Sequence, residues 1–144
     1  MTEITRSIEI LASRNRVWTH IHPRNWTQIF NFVKDVNGYS EDGEAGVGTR
    51  ADVIAGNDEN AVKYHVEVTE FVEKSRIAYR RYGGPLSGTG EIQIRSIGTG
   101  TLLRRTTVYN DDLSEETIKS ISVGMETDNM RLKNLVETLK RNED

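Results

Sequence analysis

The sequence contains no cysteine, which excludes disulfides, thiolate metal sites and a cysteine nucleophile. Proline is almost absent: Pro23 and Pro85 are the only two in 144 residues. No apolar run approaches the ~18 residues of a membrane-spanning helix, so stable membrane insertion is not expected. The N-terminal stretch MTEITRSIEIL alternates polar and apolar residues and lacks an apolar h-region, so it does not read as a signal peptide, and a cytoplasmic location fits. Neither sign of charge dominates, since 22 acidic side chains stand against 19 basic ones for a formal charge of −3. What remains is an ordinary globular composition, 35% hydrophobic, at a length suited to one domain (1–144) with a real core.

The hydrophobic period divides the chain into three parts. From Thr2 to Leu11 it is two, with Ile4, Arg6, Ile8 and Ile10 on one face of a strand. Two short helices follow. Ser13 caps the first, whose apolar face is Val17, Trp18 and Ile21, and Pro23 ends it. Asn25 caps the second, which holds Trp26, Ile29 and Phe30. Strands are then expected at Val33–Tyr39, Gly46–Ala55, Ala61–Val72, Arg76–Tyr82, Gly88–Ile97 and Thr101–Tyr109. Turns at Asp42-Gly43, Asn57 to Asn60, Glu73-Lys74-Ser75, Gly83-Gly84-Pro85 and Gly98-Thr99-Gly100 separate them, and such spacing describes an antiparallel meander. After a Ser114 N-cap the period becomes helical. Ile118, Ile121, Met125, Leu132, Leu135, Val136 and Leu139 share a face, with Glu115 and Glu116 in the first turn and Lys140 and Arg141 in the last. Gly124 interrupts this helix, and a kink or a close approach of sheet or ligand would account for it.

The resulting class is α+β: a curved seven-stranded antiparallel sheet wrapped round a long C-terminal helix, with two short helices between the first two strands. A helix only ~10–12 Å across cannot fill a strongly curved sheet, so a cavity is expected between them.

Seven segments in this order carry a resemblance. They are Ser7-Ile8-Glu9-Ile10 with Ser13-x-x-x-Val17-Trp18, Asn25-Trp26, Gly46-x-Gly48-Thr49, Val68-Thr69-Glu70-Phe71, Arg76-Ile77-Ala78-Tyr79, Gly100-Thr101-x-Leu103, and Met130 to Glu137. Together they resemble the START/SRPBCC superfamily, the helix-grip fold of the birch-pollen-allergen-like proteins, and within it the polyketide cyclase/dehydrase and lipid transport family. The resemblance implies a deep pocket for apolar or amphipathic ligands and no single chemistry.

Arg104-Arg105 is the most informative pair, because strand neighbours point to opposite faces. Leu103, Arg105, Thr107 and Tyr109 share a face, and the superfamily pattern turns it inward. A guanidinium there cannot shed its proton. Either it pairs with an internal acid, Glu91 or Glu9, or it anchors a ligand's carboxylate, phenolate or enolate oxygen. Trp26, Tyr64 and Tyr79 join Tyr109 as aromatics with polar tips that suit flat oxygenated ligands. Val66, Ile121 and Met125 complete the expected lining. Arg6 and Arg81 also fall on inward faces but sit near strand ends, where exposure at the cavity mouth is the simpler reading.

Other patterns carry less. His20-Ile21-His22 lacks further ligands nearby, so no metal is expected, nor any cofactor. Gly46 to Ala51 matches G-x-G-x-x-A but leads into a strand, so the phosphate-binding geometry is missing. Residues 74–109 hold seven bases against Glu91 alone, while residues 111–144 hold nine acids and five bases. Mutual salt bridging is the expected outcome, and with few aromatics among the bases a nucleic-acid partner is not expected. The functional expectation is a carrier or sensor for a small hydrophobic or aromatic ligand. The alternatives are a cyclase, aromatase or dehydratase, with Arg105 as electrostatic stabiliser and Tyr64 or Tyr79 as proton donor, and a ligand-free interaction module of the same fold. An edge strand such as Val33–Tyr39 can pair across a homodimer.

Overall fold

Alternation of apolar and polar residues makes each strand two-faced, and the buried faces decide how the strands associate. A computed structural model describes residues 1–30, 32–38, 44–55 and 61–143; of residue 55 and residues 139–143 it describes the backbone. Seven strands form one antiparallel sheet: β1 (Thr2–Ile10), β2 (Val33–Asn37), β3 (Arg50–Ala55), β4 (Val62–Val72), β5 (Arg76–Tyr82), β6 (Gly88–Ile97) and β7 (Gly100–Tyr109). Their order across the sheet is β1-β7-β6-β5-β4-β3-β2, so β2 and β1 are the two edges. Between β1 and β2 lie α1 (Arg14–Ile21), a 3₁₀ turn (Pro23–Asn25) and α2 (Trp26–Ile29). The chain ends in α3 (Glu115–Glu143). Among the described residues no helix is long and apolar enough to cross a membrane.

Local chemistry sets the ends of the helices. Ser13 Oγ accepts the Arg16 N–H (3.2 Å) and Ser114 Oγ the Thr117 N–H (3.2 Å), two N-caps that satisfy otherwise unpaired donors. Asn25 precedes α2 but does not cap it with its side chain. Its amide donates instead to the Thr19 carbonyl of α1 (2.7 Å), which ties the two short helices together. The strand expected from Gly46 begins only at Arg50. Gly48 has φ +92° and the Thr49 N–H bonds the Gly46 carbonyl (3.0 Å), so these residues turn rather than extend. Tyr39, the Asp42-Gly43 turn, the Asn57 to Asn60 turn and the side chains of Leu139, Lys140 and Arg141 lie outside the described residues.

The core divides along the strands. At one end Ile10, Ile77, Ile92, Ile94 and Leu103 pack with Val17, Ile21, Leu132 and Val136 from the helices. The second half of α3 is pinned to the end of β1: the Leu11 N–H donates to Glu137 (2.8 Å), and Lys133 Nζ donates to the Glu9 carbonyl (2.9 Å). At the other end a smaller cluster of Ile4, Tyr109 and Met125, edged by Ile118 and Ile121, closes the fold. The outer face of the sheet is laced by cross-strand pairs. Arg76 meets Glu70 and Glu91, and Arg80 meets Glu67 (2.6 Å). Arg76 and Arg80 are thus neutralised from within the sheet.

Gly124 lies within an uninterrupted α3, and a Cβ built there meets nothing within 4 Å. The close approach expected from the sequence is absent. Gly124→Ala should therefore raise unfolding stability by about 1 kcal/mol, read from the urea midpoint at unchanged slope.

Candidate functional site

Between the two clusters the sheet and α3 separate, and the reason is visible strand by strand. On β6 the inward positions run Gly88, Gly90, Ile92, Ile94, so this central strand offers side chains to the core but none to the opposite end. Its neighbours lean into the space left. Tyr79 pairs with Gly90 and lays its ring over it, where a Cβ would collide with the phenol. Arg81 pairs with Gly88, where a Cβ would clash with the Val108 carbonyl and come within 3.1 Å of Arg81 Nη1.

The result is a cavity of about 120 Å³. Its sheet wall is Val53, Tyr64, Val66, Tyr79, Arg81, Arg105, Thr107 and Tyr109. Trp26, Phe30, Phe32 and Val33 form a second wall around α2, and Ile121, Met125 and Asp128 of α3 form the third. The indole N–H of Trp26 is satisfied by the Ile21 carbonyl (2.9 Å), while its ring meets Phe30 and Tyr79 edge-on at 6.0 and 5.9 Å.

Of the ten lining residues expected from the sequence, nine meet at this wall and Leu103 does not. Leu103 is fully buried, opposite Ile8 and Ile94 in register, in the solid part of the core. Six further residues line the cavity: Phe30, Phe32, Val33, Val53, Arg81 and Asp128. Phe32 lines the cavity although it is 42% exposed.

The two inward arginines differ in what they meet. Arg105 Nη1 lies 3.5 Å from Asp128 Oδ2, with both side chains largely buried, and its guanidinium sits 4.7 Å from the Phe30 ring centroid. The internal acid is therefore on the helix and is neither Glu91, which binds Arg76, nor Glu9, which is exposed. Arg105 Nη1 is nonetheless buried without a hydrogen-bond acceptor. Arg81 corrects the reading from its strand-end position. It is only 6% exposed and donates to the Thr107 hydroxyl and the Val108 carbonyl (3.4 Å). Arg6 opposes Arg105 in register but is half-exposed and held by Glu126 (3.0 Å).

Burial pushes the Tyr64 phenol up from 10.0 to about 12, the nearby Tyr79 and Tyr109 add to this, and the charges of Arg81 and Arg105 oppose it. Tyr64 is thus a neutral hydrogen-bonding group at physiological pH. Because the unfolded chain releases this proton near pH 10 and the folded chain near 12, stability should fall as pH rises through that window. Urea unfolding between pH 9 and 11.5 would show the decline, and Tyr64→Phe should flatten it.

The histidines lie elsewhere. His20 Nδ1 contacts the Arg16 carbonyl (2.9 Å), and His65 pairs with Asp52 (2.7 Å) on the outside. His22 meets the rings of Trp18 and Phe71 edge-on, and burial, with the charge of Arg24, holds its pKa below the usual value. Among the described residues no three metal-ligating side chains converge.

A curved antiparallel sheet gripping one long helix over an internal cavity defines the helix-grip class. Within that class, the family described as polyketide cyclase / dehydrase and lipid transport matches residues 1–139, and the chain belongs to it. The fold is shared with solved structures of low identity. A START superfamily protein from Mycobacterium smegmatis is 16% identical (TM-score 0.71, covering 95% of this chain and 98% of that one). Ara h 8.0201 is 10% identical (TM-score 0.73, 95% and 98%). The Aha1 dimer from Colwellia psychrerythraea is 14% identical (TM-score 0.71, 95% and 97%). No curated protein matches the sequence significantly.

Proposed function

We propose that the protein binds a small, largely aromatic ligand in the cavity between β4, β5, β7, α2 and α3. One observation carries this reading: an apolar, aromatic-walled space that also holds a buried Arg105 N–H with no acceptor. Native interiors rarely leave such a donor unpaired, so an oxygen on a guest molecule is the natural complement. Size narrows the class. Drug-sized ligands occupy roughly 300–1,000 Å³, whereas a cavity of ~150 Å³ accepts benzene. At about 120 Å³ this space takes a single ring with a short polar substituent.

The enzymatic alternative is less well supported. Tyr64 with a pKa near 12 is a poor proton donor, and Asp128, the one carboxylate at the described wall, faces Arg105. Carriage or sensing needs neither group to react. β2 also leaves a sheet edge at which a second copy can pair.

Thermal unfolding in the presence of phenol, indole and 1-naphthol tests the ligand reading. Single-ring compounds should raise Tm in a concentration-dependent way, and 1-naphthol should do so less. No shift with any of them, together with an unchanged tyrosine and tryptophan emission, would overturn it.

A further inference from the structure

The cavity wall carries two arginines and, among the described residues, one acid. Asp128 answers the charge of Arg105. Among the described residues nothing comparable answers Arg81. The Thr107 hydroxyl, the Val108 carbonyl and the Tyr109 ring, whose centroid is 4.2 Å from the guanidinium carbon, are all neutral. An arginine has five N–H donors and cannot neutralise itself by losing a proton. A cation taken out of water and given only dipoles and a ring face is stabilised incompletely.

The fold nevertheless makes room for this cation. A Cβ at Gly88 would first clash with the Val108 carbonyl and would also come within 3.1 Å of Arg81 Nη1, and the cross-strand position brings the guanidinium over β6 toward Thr107 and Tyr109 of β7. At the other end Asp128 repels any anion that approaches Arg105, whose remaining capacity is a hydrogen bond rather than a free charge.

Resting on the ligand reading above, we propose that the ligand is an aromatic carboxylate and that Arg81, not Arg105, recognises its charge. Tyr64 lines the same wall as the two arginines and adds a phenol to it.

Calorimetric titration of the full chain with benzoate, benzamide and benzyl alcohol at pH 7.5 separates the possibilities. The three are similar in size and differ in charge. Benzoate should bind about tenfold or more tighter than the neutral pair, the size of one charge-assisted hydrogen bond. In Arg81→Gln the three should bind alike, and Arg81→Lys should restore part of the preference. The wild-type comparison and Arg81→Lys carry the test if Arg81→Gln does not fold. Equal binding of benzoate and benzamide to the wild type, with both measurable, would overturn the charge assignment and leave the ligand reading intact. A benzoate preference that survives in Arg81→Gln would overturn the role of Arg81. If none of the three binds, both readings fall together.

Discussion

Asp128→Ala should cost the protein about 3 kcal/mol of unfolding free energy, far more than a helix-surface substitution, because it leaves the Arg105 guanidinium buried without its counter-charge. The Arg105 and Asp128 side chains are 15% and 17% exposed, so water screens them little. The pair itself need not be a net source of stability, since desolvating both charges offsets most of their attraction. The double variant Arg105→Met/Asp128→Leu should therefore return to within about 1 kcal/mol of the wild type, and the contrast between single and double variants is the measurement that matters. Urea unfolding read by circular dichroism supplies it. A loss below about 1 kcal/mol in the single variant would place the pair among ordinary solvated ion pairs and remove the electrostatic distinction between the two arginines.

Leu103→Ala should be comparably damaging for a different reason. Leu103 is fully buried between Ile8 and Ile94, where removing three carbons deletes transfer free energy and leaves a void. A loss of about 2–5 kcal/mol is expected. Binding of single-ring probes to the folded fraction should stay unchanged, because Leu103 is not at the cavity wall. Met125→Ala, by contrast, should change which probes fit. If Leu103→Ala destabilised the protein little yet enlarged the set of accepted ligands, the division of the interior into solid core and cavity would be wrong.

The antiparallel meander was legible because residues alternate in β1 and β4 and turn residues punctuate the strands, whereas the pairing of β1 with β7 joins residues far apart in sequence that alternation does not specify. The long helix was legible for the same kind of reason, a sustained 3.6-residue period from Ile118 onward. The turn at Gly48 was not, because Gly46 to Ala51 carries no competing pattern and only the positive φ reveals it. The site divides similarly. Face parity, with the inward side taken from the superfamily resemblance, gathered Tyr64, Val66, Arg105, Thr107 and Tyr109, and it placed Leu103 with them because parity says nothing about position along the strand. Arg81 was misread for the same reason, since a strand end in sequence need not be an end in space. The sign that could have found it is Gly88-x-Gly90, which empties one face of β6, but its meaning depends on the register that sets Arg81 and Tyr79 opposite. Asp128 left a plainer mark, an acid three residues after Met125 and four before Leu132 on the apolar stripe of α3.

The position of Tyr79 over Gly90 has a consequence for how such a chain diversifies. A single methyl group at residue 90 would evict the phenol from its seat on the strand and drive it into the hollow. On the proposed ligand reading, the room for a guest would thus be set from beneath Tyr79, by the hydrogen atom that Gly90 carries in place of a side chain. In a relative bearing alanine or serine there, the same fold would be expected to accept smaller molecules or none.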